Sequence, residues 1–288
     1  MITNADGGQP RRVVVVGGGT MGAGIAHVFA AVGAQVTVVE ADDGRAEAAL
    51  ARIGRTLGIA EDKGKLASAA ETLARVGTVV DVTAAPGDAD LYVEAVPEDA
   101  ALKGRVLGAL EAVAGVDAVL ATNTSALSVG SLAEGLDRPE RFCGMHFFNP
   151  VPASGLVELV HHRGTSPAVL SLARDWVGTL GKEAIVVADA PGFATSRLGV
   201  AVGLEAIRMV EDGVASPEDI DTGMRLGYRW PMGPLRLTDL VGLDVRLGIA
   251  EHLAATLGPR FEPPALLRDM VARGELGQKS GRGFYSWD

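Results

Sequence analysis

Histidine is the side chain best suited to taking up and returning a proton near neutrality, because its unperturbed pKa is about 6.5. One stands at His146, inside GMHFFNPVPASGLVELV (Gly144 to Val160), at the end of an apolar run and just before an Asn-Pro break. Glu158 follows twelve residues later. A carboxylate on one ring nitrogen would fix the tautomer and stabilise the imidazolium, leaving the other nitrogen for proton transfer. If Phe142 to Phe148 and Leu156 to Val160 are neighbouring strands, the Asn-Pro-Val-Pro turn brings the two side chains together. His146 taken alone reads first as a hydrogen-bonded core histidine. Ser125, in ATNTSALSV, adds a hydroxyl at the end of a strand, where open parallel sheets place their ligands.

A second constellation bears on that choice. The segment Val16 to Gly22 contains G-x-G-x-x-G as Gly17, Gly19 and Gly22, with Thr20 and Met21 between the last two. With 38 glycines in 288 residues the pattern alone means little. Its context is specific: it follows the strand-like run Arg12 to Gly17 and opens the helix-like run Gly22 to Val32. The next strand, Gln35 to Glu40, ends on an acid. Gly17 permits the tight turn, Gly19 lets backbone approach a pyrophosphate, and Gly22 allows close helix–strand packing. The helix N-terminus then faces the phosphates with N–H groups and a positive dipole end. Glu40 suits ribose hydroxyls and repels a 2′-phosphate, so NAD is the expected cofactor; Arg45 is the residue that would favour NADP instead. Oxidising a secondary alcohol with NAD requires a group to remove the hydroxyl proton while hydride leaves the same carbon. Beside a dinucleotide motif, His146 with Glu158 and Ser125 therefore reads as a proton-transfer device.

The elements that must position these residues alternate. Further strands are expected at Asp90 to Val96, Ala118 to Ala121 and Phe142 to Phe148, with a long helix from Asp42 to about Ala60. Such alternation predicts βαβ units and a parallel sheet. After Asp189-Ala-Pro-Gly192 the pattern becomes helical: Phe193 to Glu211, Pro217 to Leu226, Val241 to Leu257 and Pro264 to Arg273. Ser216 before Pro217, with Asp219 at the third helical position, is a helix-start signal. The predicted fold class is thus α/β, a Rossmann-type parallel-sheet domain over residues 1–188 followed by an all-α domain over 189–288.

Composition sets outer bounds. Hydrophobic residues make up 48% of the chain and charged ones 22%, enough to bury a large core. The net charge of -10 argues against nucleic acid as a partner. A single cysteine, Cys143, cannot form an internal disulfide and fits a reducing, cytoplasmic setting. The polar start MITNADGGQPRR has no apolar signal core, and no apolar run reaches membrane length. No Cys/His cluster has metal-ligand spacing. His161 and His162 read as surface or edge positions. Arg45, Arg52 and Arg55, with Lys63 and Lys65 just beyond, form either a phosphate-meeting patch or a solvated face.

Taken together, the chain resembles the 3-hydroxyacyl-CoA dehydrogenase family, in its short-chain 3-hydroxybutyryl-CoA type. The resemblance runs through GGGTMGAGIAHVFA, DLYVEAVPED, ATNTSALSV, GMHFFNPVPASGLVELV, DAPGFATSRL, YRWPMGPLRLTDLVGLD and KSGRGFYSW. It implies reversible, NAD-dependent oxidation of an (S)-3-hydroxyacyl-CoA within fatty acid metabolism, by a homodimer formed through the C-terminal domain. By the same resemblance His146 is the base, Glu158 its partner, and Ser125 a contact to the substrate oxygen. Glu98, Lys103, Asn123, Ser125, Asn149 and Lys279 match cofactor positions, and Thr56 and Lys63 fall where the family meets coenzyme A. One departure stands out: where the family carries asparagine in PGF-x-x-N-R, this chain has Ser196, which keeps a donor and an acceptor on a shorter arm. The acyl group is left open between acetoacetyl-like, dicarboxylic and carrier-protein-bound units. A free hydroxy acid is a further alternative substrate. A non-catalytic, crystallin-like or sensing role is opposed by the joint presence of His146, Glu158 and Ser125.

Overall fold

A computed structural model describes residues 8–287; most of the polar start read above lies outside them. The chain divides into two compact units, one ending at Asp189 and the other beginning at Ala190.

The first unit is built on eight strands: β1 (Arg12–Val16), β2 (Gln35–Val39), β3 (Val76–Val79), β4 (Leu91–Glu94), β5 (Val119–Thr122), β6 (Phe142–Phe147), β7 (Leu156–His161) and β8 (Glu183–Ala188). Its helices are α1 (Thr20–Ala31), α2 (Asp43–Asp62), α3 (Ala69–Leu73), α4 (Ala100–Val113), α5 (Val129–Ala133) and α6 (Pro167–Thr179). The strands form one sheet in the order β3-β2-β1-β4-β5-β6-β7-β8. All neighbours run parallel except β6 and β7, which pair antiparallel. The order 3-2-1-4-5-6 is that of a dinucleotide-binding sheet, whose ligands lie at the strand C-terminal ends where the order reverses, here between β1 and β4.

Central strands are buried on both faces, so β1 after Arg12 and β4 before Glu94 are continuous apolar runs rather than alternating ones. Val13, Val15, Ile25, Phe29, Leu91 and Met145 belong to the core between the sheet and its helices. Phe29 of α1 meets Phe147 of β6 edge-on at 6.5 Å between ring centroids, which ties the glycine-motif helix to the strand carrying His146. Two strands escaped the sequence reading, β3 and β8. They close the two edges of the sheet, and most of their positions are partly or fully exposed, so neither presents the solid apolar run that marks a buried strand.

The second unit is helical: α7 (Thr195–Glu211), α8 (Pro217–Gly227), α9 (Pro234–Val241), α10 (Leu243–Leu257) and α11 (Ala265–Ala272). Val200, Leu204, Ile207, Leu235, Leu253 and Leu267 form its core. Ser216 caps α8 by accepting from the Asp219 N–H at 3.1 Å, as its sequence signal predicts. The expected helix from Val241 onward begins instead at Leu243. Gly242, at φ +101°, breaks the chain there and separates α10 from α9, which the sequence reading missed.

Candidate active site

Antiparallel pairing places His146 of β6 directly opposite Glu158 of β7. Cross-strand partners on one face lie about 5 Å apart at Cβ, within side-chain reach. His146 Nδ1 and Glu158 Oε2 are 2.7 Å apart. The ring is 7% exposed and the carboxylate 0%. A carboxylate accepts and does not donate, so the proton of that bond sits on Nδ1. Phe148 packs beside the imidazole at 4.4 Å between centroids, which limits its rotation. The ring lines a cleft of about 340 Å³ together with Met21, Glu98, Asn123, Ser125 and Asn149. With Glu158, the structure thus brings together seven of the predicted site residues.

Backbone-directed bonds shape the cleft's other wall. Asn123, just after β5, accepts from the Phe147 N–H through Oδ1 at 2.9 Å and so joins the β5 end to β6. Glu98 gathers the Ser125 loop: one oxygen accepts from Ser125 N at 3.0 Å, Ala126 N at 3.1 Å and Thr124 Oγ1. Its other oxygen is 3.3 Å from Lys103 Nζ. Lys103 stands directly behind this wall of the cleft. It is 0% exposed and donates to both oxygens of Glu94, at 2.8 and 2.9 Å, and to the Val96 carbonyl. Glu94 also accepts from Thr122 Oγ1 and from Val96 N, each at 2.6 Å. A buried pair of this kind resists loss of either partner, at about 3–5 kcal/mol. Glu94, Thr122 and Thr124 were not singled out from sequence. The available signal was the acid ending the apolar run of DLYVEAVPED.

The glycine turn fits a dinucleotide. Gly17 sits at φ +93°, and a Cβ there would stand 2.9 Å from the Ala95 carbonyl oxygen. A Cβ on Gly22 would overlap the Gly17 carbonyl oxygen, while Gly19 has no atom within 4 Å of its Cβ position. The approach to α1 is therefore open at Gly19 and closed at Gly22. No side chain caps α1 and no acid occupies its first turn, so its N–H groups suit a pyrophosphate. Glu40 stands just past β2 and accepts from Gly18 N at 2.6 Å. Arg45 is drawn to Asp42 at 3.4 Å, and Arg52 donates to the Gly18 carbonyl at 2.6 Å. The basic patch is thus thinner than its sequence suggests, since Arg52 braces the glycine turn.

Thr56 turns its hydroxyl inward, 2.9 Å from His27 Nδ1 and 2.9 Å from the Ile53 carbonyl, while Lys63 is exposed at the end of α2. Burial lowers the pKa of His27 to about 4, the nearby Lys182 charge adding to the effect. Ser196 lies in the first turn of α7 in the second unit, and Lys279, also there, binds Asp244 at 2.6 Å. His162 lies just past β7, its Nε2 2.9 Å from the Pro139 carbonyl. Burial pushes the Cys143 thiol up to about 12, so it is inert at neutral pH. Among the described residues no three His, Cys, Asp or Glu side chains cluster as metal ligands, and no helix is long and apolar enough to cross a membrane.

Residues 12–190 match the family model for the 3-hydroxyacyl-CoA dehydrogenase NAD binding domain, and residues 192–287 match the model for its C-terminal domain. The chain belongs to the 3-hydroxyacyl-CoA dehydrogenase family. Among curated relatives, a Mycobacterium tuberculosis 3-hydroxybutyryl-CoA dehydrogenase is 42% identical over 96% of this chain and 98% of its own length. The mitochondrial hydroxyacyl-coenzyme A dehydrogenase of Sus scrofa is 39% identical over 96% of this chain and 91% of its own. Among solved structures, the (S)-3-hydroxybutyryl-CoA dehydrogenase of Ralstonia eutropha has a TM-score of 0.92 at 38% identity, covering 97% of this chain and 100% of that one. The resemblance read from the motifs is thereby established for both units of this 3-hydroxyacyl-CoA dehydrogenase family member.

Proposed function

We propose that this dehydrogenase interconverts short (S)-3-hydroxyacyl-CoA and 3-ketoacyl-CoA esters, with His146 as the catalytic base in oxidation and the acid in reduction. The observation that carries the assignment is the buried His146–Glu158 pair, whose imidazole lines a cleft shared with Met21 of α1. NAD, when bound, accepts the hydride leaving the alcohol carbon. His146 takes the hydroxyl proton on Nε2, because Nδ1 is committed to Glu158. As the ring gains that proton, the Glu158 carboxylate stabilises the imidazolium without itself being protonated. Ser125 presents its hydroxyl to the substrate oxygen from a loop whose backbone Glu98 holds. Lys103 and Glu94 act one step back, as positioning residues for Glu98. Ser196, in the family's asparagine position, keeps a hydroxyl in the first turn of α7.

Glu40 beyond β2 and the pairing of Arg45 with Asp42 support NAD over NADP. The second unit exposes Leu198, Val214, Leu226, Tyr228, Leu240 and Val245, which supports a homodimer formed through the helical domain. We place the enzyme in the cytoplasm and in fatty acid metabolism, as its family membership and bacterial relatives suggest. Short acyl chains are favoured because the relatives named above include 3-hydroxybutyryl-CoA dehydrogenases.

The test is a spectrophotometric screen of NADH oxidation with 3-ketoacyl-CoA esters of increasing length, run on the parent and on His146→Ala. The expected result is turnover of short esters by the parent, its loss in the variant, and retention of NADH binding by both. No turnover of any ester, or an unchanged rate in His146→Ala, refutes the assignment.

A further inference from the structure

The turn between α6 and β8 ends on a buried lysine, Lys182. Gly181, at φ +68°, makes the reversal that precedes it. The Lys182 ammonium donates to the carbonyl oxygens of Val151, at 2.7 Å, and of Ser154. Burial lowers its pKa, so the charge is desolvated for the sake of two neutral acceptors. Both acceptors belong to residues 148–155, the loop that joins β6 to β7. Next along the chain, the Glu183 N–H donates to the Gly155 carbonyl at 2.7 Å and ties the end of the same loop to β8.

The glycine-motif helix seats this loop from its other side. Val151 is buried, and a Cβ on Gly24 of α1 would stand only 2.7 Å from the Val151 Cβ. Glycine thus lets the loop approach α1 more closely than any larger residue would. Met21 lies three residues before Gly24, on the same face of α1, and lines the cleft with His146. The loop's first residues are themselves in the site: Phe148 packs beside the imidazole at 4.4 Å, and Asn149 lines the cleft. Strand pairing sets His146 opposite Glu158, but it ends at Phe147. Beyond that residue, the placement of Phe148 and Asn149 rests on what holds the loop.

We propose that Lys182 is a positioning residue for the reaction: its ammonium clasps the loop against α1 and so holds Phe148 and Asn149 in place beside the imidazole. The inference rests on the reading of His146 as the base given under Proposed function. A packing role alone would not call for a charge, since methionine fills a similar volume without desolvating an ammonium. Charge-assisted bonds to two carbonyls three residues apart cross-link the loop, which an apolar side chain cannot do.

The measurement compares the parent with Lys182→Met in three quantities: kcat with acetoacetyl-CoA, NADH affinity by fluorescence titration, and hydrogen exchange of the loop by mass spectrometry. In the variant kcat is expected to fall roughly 10- to 100-fold, the scale of a reacting group displaced by up to about 1 Å. NADH affinity should stay within about threefold, since the glycine turn is untouched. The Ala153 and Ser154 amides both donate to the Pro150 carbonyl at 2.9 Å. They should exchange at least about tenfold faster, while β6 keeps its protection. A kcat within about threefold of the parent overturns the proposal. So does a fall in kcat matched by an equal loss of NADH affinity and faster exchange throughout the sheet, the pattern of general destabilisation. Should Lys182→Met fail to fold, Val151→Ala loosens the same loop from the α1 side and leaves the ammonium in place. It is expected to lower kcat with NADH affinity kept, and a parental kcat there overturns the proposal. If the parent turns over no ester, the proposed function fails on its own account. The exchange arm still reads the clasp, and unchanged exchange at Ala153 and Ser154 in Lys182→Met overturns it in any case.

Discussion

Replacing Glu158 by glutamine isolates what the carboxylate does for His146. The substitution preserves shape at a site with 0% exposure, so packing between β6 and β7 is nearly unchanged. The charge is lost, and so is the acceptor-only character that places the proton on Nδ1. With about 4 Å between charge centres and an effective dielectric near 20, the carboxylate stabilises the imidazolium by about 4 kcal/mol. That is roughly three decades in rate, at about 1.4 kcal/mol per decade. The amide can also donate to Nδ1, which would place the remaining ring proton on Nε2 and block that nitrogen as a base; some molecules would then be inactive in the oxidative direction. The expected loss in kcat is therefore two to four decades for both directions, within the range seen when an orienting carboxylate is neutralised. The assay follows NADH at saturating acetoacetyl-CoA, with NADH affinity measured separately by fluorescence titration. Affinity should stay within about threefold of the parent, since the glycine turn is untouched. A rate within tenfold of the parent would mean that the 2.7 Å contact contributes little to proton transfer. The dyad reasoning would then be wrong.

Two further outcomes test the cofactor turn. Glu40→Ser should narrow the NADH-over-NADPH preference in kcat/KM. It should also raise KM for NADH, because Glu40 accepts from Gly18 N as well; a preference that is unchanged or favours NADPH from the start assigns the choice to Arg45. Gly19→Ala should leave the melting temperature within a degree or two while weakening NADH binding at least tenfold. Gly22→Ala, whose Cβ would overlap the Gly17 carbonyl oxygen, should lower stability by about 2 kcal/mol or more; equal melting temperatures for the two variants would contradict the packing described.

The sheet's centre and the dyad were readable because each rests on a local pattern. Buried parallel strands are solid apolar runs, and the Asn-Pro break between two such runs announces a hairpin with only one register that buries both faces. Edge strands carry no such mark: β8 reads Glu-Ala-Ile-Val-Val-Ala and leaves every position partly or fully exposed. Lys103 shows a different limit. Its family correspondence marks it as a cofactor position, and only the fold reveals Glu94 at the end of β4, 2.8 Å from its ammonium. Arg52 misled for the same reason, because its acceptor is a backbone carbonyl 34 residues away. Thr56 was placed by family correspondence, and its hydroxyl meets His27. Side-chain partners brought close by tertiary packing leave no trace in spacing.

The single antiparallel step in the sheet has a consequence for how the chain tolerates insertions and deletions. Had β6 and β7 been parallel, a crossover of a dozen or more residues would separate them, and their alignment would depend on how that crossover packs. Here only residues 148–155 intervene, a loop whose closure entropy is small. The alignment of base and carboxylate is therefore a property of one short hairpin. Length changes in the loops after α2 or α4 leave it intact. A single residue added between Phe148 and Gly155 that slipped the pairing would instead turn Glu158 to the opposite face of the sheet, away from His146. In this sheet the other connections can lengthen and keep the dyad, but this one holds its alignment only at a nearly fixed number of residues.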